Sequence, residues 1–340
     1  MRRILVSAGA MAVVLTAAFV VLQLGSAPRH PAAQVAVADA AWHRPSQHRG
    51  LCTDPAKTPA TASPAPSPSS SPTRPPATSS APPATATVAA PPPERSDTPG
   101  GYGVPAGTAL KSVQNLTADQ SGQVLDALDV RGTITVTAPG VTIKRSKFTG
   151  TGQDWAVRTT GNGSVRIEDA TFTGDYQDAA ISYHNWSATR IDISGMSNDG
   201  AKVGNHVSIT DSWIHDFTPA GGAHADGLQV VEDVGDVVMK NNKIDIGKLT
   251  GVNAAIFLSP DIGPQNPSAG PIVVDGNTLG GGGYTFYSVN GRDGATLQDV
   301  SVTNNKFLKN AIFGPVYPSE FVAKTVSGNT YADGSTLKMP

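Results

Sequence analysis

The chain reads as an all-β solenoid, a parallel β-helix, standing behind a long unstructured stalk. Three observations lead there. A ten-residue apolar pattern recurs at intervals the size of one supersecondary unit. Its strand positions are filled by β-branched residues, with few charged stripes at helical spacing. Proline dominates the chain before residue 106 and glycine after it, so two regimes share 340 residues.

The pattern is apolar, any, apolar, two of any, small or Asn, any, large apolar. It is clearest in "VTIKRSKFTG" from Val141 and "VRIEDATFTG" from Val165, and it fits again from Thr189, Val207, Val237, Ile272, Val300 and Lys324, with a weaker copy from Gln123. Starts separated by 18 to 35 residues imply coils of constant core and variable loops. The third column, Ile143, Ile167, Ile191, Ile209, Met239, Val274, Val302 and Val326, stacks into a core with the eighth, which runs from Phe148 to Tyr331. The sixth passes from Ser146, Ala170, Ser194 and Ser212 to Asn242, Asn277, Asn305 and Asn329, whose amides can bond one another and the turn beside them.

Ahead of the repeats, residues 1–27 carry Met1-Arg2-Arg3 and a 21-residue apolar run, which suits a signal peptide or an uncleaved membrane anchor. Residues 28–101 are largely Pro, Ala, Ser and Thr with little to bury, hence a disordered linker. The β-helix domain is expected over 102–340, secreted or held extracellularly at the membrane by the N-terminal segment, and monomeric. The single cysteine, Cys52, lies in the spacer and permits no internal disulfide. A net charge of −2 with 15% charged residues gives no basic face for nucleic acid.

Each frame is followed by a further short strand: "DWAVR" at 154, "DAAIS" at 178, "DGAKV" at 199, "DGLQV" at 226, "NAAIF" at 253 and "NAIFG" at 310. Aligned on their first residues, Asp154, Asp178, Asp199 and Asp226 form a carboxylate ladder at a rung spacing of about 4.8 Å. Asp or Asn before a small residue is also an ordinary turn device. Neighbouring carboxylates can instead share a proton or bind a cation, and Asp199 and Asp226 are the candidates for calcium. The candidate catalytic set is His224, Asp226, Lys202 and Asp199. Gln229, Trp186, Trp213, His184, Tyr284 and Arg292 are candidates to hold a substrate, the aromatics by stacking on sugar rings and the others by polar contact. No His-Glu-x-x-His or other zinc spacing is present, and calcium is the only cofactor the pattern suggests.

The short strands, the stacked asparagines and "HADGLQV" together resemble the right-handed parallel β-helix, pectate-lyase-like superfamily, and in particular the exported β-helix repeat proteins of actinobacteria. The resemblance covers residues 102–340 and speaks to fold more than to activity. It implies a carbohydrate-active protein acting on a polysaccharide, first of all a lyase cleaving an acidic, uronic-acid polymer by β-elimination. A glycoside hydrolase with paired Asp carboxyls is the alternative, although the Asp-Asp, Gly-His-Gly and Arg-Ile-Lys elements of polygalacturonases are missing. A glycan-binding module on a stalk is the third reading.

Overall fold

The computed structural model describes residues 101–230, 232, 234–260, 270–291 and 295–340. The apolar N-terminal run, the Pro-rich linker, Cys52 and Arg292 all lie outside the described residues. The described part is a parallel β-helix with no α-helix, as the repeat predicts.

Each central coil supplies three strands, and like strands of successive coils pair in parallel. Nine strands from Val124–Asp126 to Thr325–Ser327 form the first ladder as a separate sheet. The second ladder runs through Asp192–Met196, Trp213–His215 and Lys243–Asp245. The third runs through Asp199–Lys202, Ala225–Val230, Val252–Leu258 and Tyr284–Ser288. Two long strands, Lys147–Thr159 and Thr171–Ser182, turn from the second ladder into the third and join them in one sheet of 17 strands.

A sharp turn separates the first two ladders, and the sequence frame marks it. The fifth frame position has positive φ in every coil: Ala127, Arg145, Asp169, Arg190, Asp211, Asn241 and Asn304 lie between 48° and 56°, and glycines take the position at Gly276 and Gly328, at 69° and 68°. Holding non-glycine residues there costs energy, which in the coils with serine or asparagine next is offset by side-chain hydrogen bonds along the stack. Asn277 Oδ1 accepts the Asn242 backbone N–H at 2.9 Å, and Asn277 Nδ2 donates to Met239 O and to Asn305 Oδ1, each at 2.9 Å. The same bonds continue through Asn305 to Asn329, while Ser146 and Ser212 hydroxyls take the role in earlier coils.

The third frame is displaced from its expected place. Trp186, not Thr189, pairs with Val165 and Val207, so the coil starts three residues earlier. Ala188 then fills the third column, Ile191 the sixth and Ile193 the eighth, with Ile193 paired to Phe172 and Ile214. The apolar run "IDI" fits either phase, and the left-handed turn at Arg190 decides between them. The correction takes Trp186 inside, 1% exposed, with its indole N–H donating to Tyr183 O at 3.2 Å.

The asparagine stack yields a direct test. Replacing Asn277 with Ala strips partners from the buried Asn242 N–H, Met239 O and Asn305 amide, and should cost about 2–4 kcal/mol in urea unfolding. Asn329→Ala, on the part-buried last rung where water can substitute, should cost less than about 1 kcal/mol. Equal costs would mean that the stack does not act through burial.

Candidate functional site

The third ladder carries the carboxyls, and its register differs from the expected one. Ala179 pairs with both Trp155 and Asp199, and Asp226 pairs with Ala254. Asp199 and Asp226 therefore occupy one column, while Asp154 and Asp178 stand one residue ahead of it. Tyr284 and Gly314 fill the rungs beyond, and Asn310 instead bonds Gly281 N–H and Asp245. A one-residue slip changes the face of every side chain in a strand, and first-residue alignment could not detect it.

Two glycines set the direction of the acids. A Cβ on Gly227 would sit 2.5 Å from Ala255 O and 2.8 Å from the core methyl Cγ2 of Ile244; on Gly200 it would lie 3.4 Å from Ile214 Cγ2 and closer still to Gly227 O. Both positions face the core and the next coil, so Asp199 and Asp226 project to the opposite, outer side of the ladder. Neighbouring groups cover them there, leaving Asp199 2% exposed and Asp226 fully buried.

What covers them is a continuous polar network. The Lys202 ammonium contacts Asp199 Oδ2 and Gln229 Oε1 and lies 3.3 Å from Asp178 Oδ1. Gln229 Nε2 donates to Asp226 Oδ2 at 2.8 Å, and Asn253 Nδ2 donates to Asp226 Oδ1 at 2.9 Å. The Asp226 backbone N–H donates to Asp199 Oδ1 at 2.7 Å, tying the two rungs together. Asp178 is held in turn by Trp155 Nε1 at 2.8 Å and by the Tyr183 hydroxyl at 3.3 Å. The register sets these contacts: Lys202 pairs with Gln229, and Gln229 with Phe257.

The two acids have different electrostatic surroundings. Burial pushes the Asp199 carboxyl above the ordinary carboxylate range, and the Lys202 ammonium beside it limits the rise. Burial pushes Asp226 well above the ordinary carboxylate range, the neighbouring Asp199 charge adds to the shift, and Lys202 offsets it only from a distance. The coupled pair thus retains its proton on Asp226. Burial would lower Lys202, yet Asp199 and Asp178 outweigh it and keep the ammonium charged. Asn253 Oδ1 is buried without a hydrogen-bond partner, and a half-turn of its amide would offer that oxygen to the proton of a neutral Asp226.

Calcium does not fit this donor set. The Asp226 oxygens already accept amide N–H groups, and those of Asp199 take an ammonium and a backbone N–H. Among the described residues no group of three or more His, Cys, Asp or Glu side chains is arranged to hold a metal ion.

Of the residues singled out in the sequence, Asp199, Lys202, Asp226 and Gln229 come together. His224 stands exposed at the entry to the strand. His184 accepts the Asn205 N–H at 2.9 Å on Nδ1 and faces Glu232 at 3.2 Å with Nε2. Trp213 does face outward, as its alternation with Ser212 and Ile214 predicts, but it belongs to the second ladder, stacked 3.6 Å from the His215 ring and packed against Tyr102. Tyr284 is two rungs from Asp226. Asp178 was placed beside Asp199 in the carboxylate ladder and joins the network through Lys202, whereas Tyr183 and Trp155 were missed as members of it and Asn253 was given no part in it. The Asn253 signal was present as an asparagine one coil beyond Asp226, read there as a turn.

The protonation assignment predicts a pH dependence of stability. The folded state holds a proton on Asp226 that the unfolded chain releases above about pH 4. Stability should therefore fall as pH rises from about 4 through the raised folded pKa. Asp226→Asn, which cannot ionise, should flatten that part of the urea-midpoint profile; parallel profiles for the two proteins would contradict the assignment. Compared with known proteins, the chain matches no family model, no curated protein and no solved structure.

Proposed function

We propose that this protein acts on an extended glycan lying along the third ladder, and that it cleaves the glycan by acid-assisted hydrolysis. The observation that carries this reading is the contrast between two carboxyls on adjacent rungs: Asp199 touches the Lys202 ammonium, which opposes the rise that burial gives it, whereas Asp226 meets side-chain amides and is raised well above the ordinary range by burial and by Asp199. Glycoside hydrolysis needs that division, one acid to protonate the leaving oxygen and one carboxylate to meet the developing cation. In this reading Asp226 gives its proton to the glycosidic oxygen as the bond to the anomeric carbon breaks. Asp199, one rung of about 4.8 Å away, forms the glycosyl ester that water then hydrolyses, the short separation of retaining enzymes. Gln229 is only half-buried, and its amide caps Asp226 Oδ2, so moving it aside opens the acid to substrate.

The same geometry gives less support to β-elimination on a uronic-acid polymer, the reaction that the pectate-lyase-like resemblance puts first. Elimination needs a base, and Lys202 is held protonated. It also needs a surplus cation for the uronate. Here Asp178 and Asp199 outnumber Lys202 within the network, and Arg158, 4.4 Å over the Trp155 ring, only restores balance. A neutral glycan suits such a surface better. The complete burial of Asp226 favours one further reading, a glycan-binding module in which the acids only position Lys202 and Gln229. The N-terminal apolar run and Pro-rich linker support a place outside the cell, secreted or tethered.

Incubating the full chain with neutral and uronic-acid polysaccharides, with and without a calcium chelator, separates these readings. Hydrolysis predicts new reducing ends on a neutral glycan, no unsaturated product, retained anomeric configuration by NMR and no effect of chelation. Asp226→Asn should lower kcat by about 10²–10⁴-fold. Unsaturated product would replace the reading with elimination, and binding with no product would leave the non-catalytic module.

A further inference from the structure

Beyond Asp226 the third ladder changes character. The column that holds Lys202 and Gln229 continues, one residue per coil, into Phe257 and Tyr287. Tyr317 follows Val316 just as Tyr287 follows its partner Phe286. Tyr284 and Phe313 fill in beside them. Phe257 lies 5.2 Å from Tyr287; Tyr287 and Tyr317 stack at 4.9 Å and 20°; Tyr284 meets Tyr287 and Tyr317 edge-on at 5.8 and 5.4 Å and Phe313 at 5.6 Å. Phe313 is 70% exposed and its neighbour Ile312 52%, an apolar surface that folding leaves open. Burial raises the Tyr287 hydroxyl pKa, and the aromatic run begins at Phe257, the rung next to the Gln229 that bonds Asp226.

We propose that these five rings form a carbohydrate-binding platform that grips a neutral glycan beyond the cleavage point, with the chain running parallel to the solenoid axis. This rests on the glycan reading given above. The occupant follows from three features. The platform continues the column of Lys202 and Gln229 without a break in register. Its rings join apolar faces to the hydroxyl edges of three tyrosines, as a pyranose joins C–H faces to hydroxyl edges. None of the five side chains carries a charge that would select an acidic sugar. From Asp226 to Tyr317 is three rungs, about 14 Å, which gives room for a short oligosaccharide rather than one ring.

The test uses the full chain carrying Asp226→Asn, so that bound glycans are not cleaved, and the same protein with Phe313→Ala or Tyr317→Ala added. Calorimetry would measure affinity for neutral gluco-, manno-, galacto- and xylo-oligosaccharides of two to six residues and for oligogalacturonates of the same lengths. The platform predicts affinity that rises with length to about the tetramer for a neutral series and exceeds that for the uronates. Each ring removal should weaken hexamer binding about tenfold. Phe313 is exposed, so its loss leaves the core intact, and circular dichroism checks this. Hexamer binding unchanged by both substitutions would overturn the platform while leaving the glycan reading intact. No binding by any neutral series would overturn both. A concentration-dependent dimer abolished by Phe313→Ala would reassign the surface to a second copy of the chain.

Discussion

Register between coils is the constraint on which everything else in this protein depends. A parallel stack at about 4.8 Å places like positions above one another, and any phase error is repeated along the ladder. The phase is set at the turn between the first two ladders, where a left-handed residue is followed in most coils by a small residue or asparagine and in two by Leu128 or Ile191. From Ser212 onward, amides and backbone link Asn242, Asn277, Asn305 and Asn329 coil to coil, satisfying buried polar groups that would otherwise be costly. With that corner fixed, the apolar columns meet: Phe148 stacks on Phe172 at 4.6 Å, and the isoleucines of the first and second ladders fill the space behind.

The candidate site is a direct product of the same stacking. Asp199 and Asp226 are in contact because their strands are consecutive rungs, and each is turned outward because the glycine after it has no room for a side chain. Lys202 and Gln229, three residues further along the same strands, then meet as neighbours and bridge the two acids. Residues far apart in sequence thus become a single buried network whose one ammonium is shared by Asp178 and Asp199. The cost of burying Asp226 is relieved by protonation rather than by a second cation. That asymmetry gives the pair its chemical character.

How far the sequence revealed this depends on the strength of its local signals. The solenoid, its asparagine column and most coil starts were legible because each coil repeats the same apolar spacing. The coil at Trp186 was not, since Ile191 and Ile193 suit two phases and only the positive φ of Arg190 distinguishes them. In the third ladder, "DGAKV" and "DGLQV" align truly because both have glycine at the corner. "DAAIS", "DWAVR" and "NAAIF" look alike but enter that corner one residue differently, with irregular register in Lys147–Thr159 and between Ala225 and Asp226. The four polar members of the site were therefore found from pattern alone. Asp178 and Asn253 were aligned beside the acids, but their bonds to Lys202 and Asp226, and the part of Trp155 and Tyr183, needed the structure. Of the aromatic run from Phe257 to Tyr317, Tyr284 was singled out from the sequence as a sugar-stacking residue, but the run as a whole was not, because its members fall at different offsets from any asparagine or aspartate marker.

The most direct test of this account is the ionisation of the acid pair itself. Carbon NMR of the full chain labelled at the aspartate carboxyl carbons, titrated from pH 3 to 8, follows each carboxyl separately. The account predicts one aspartate resonance still protonated well above the ordinary range, absent in Asp226→Asn, beside a second that is ionised and responds to Lys202→Met. If every aspartate titrates near pH 4, Asp226 is an ordinary carboxylate, and the division of roles that supports the hydrolytic reading does not exist.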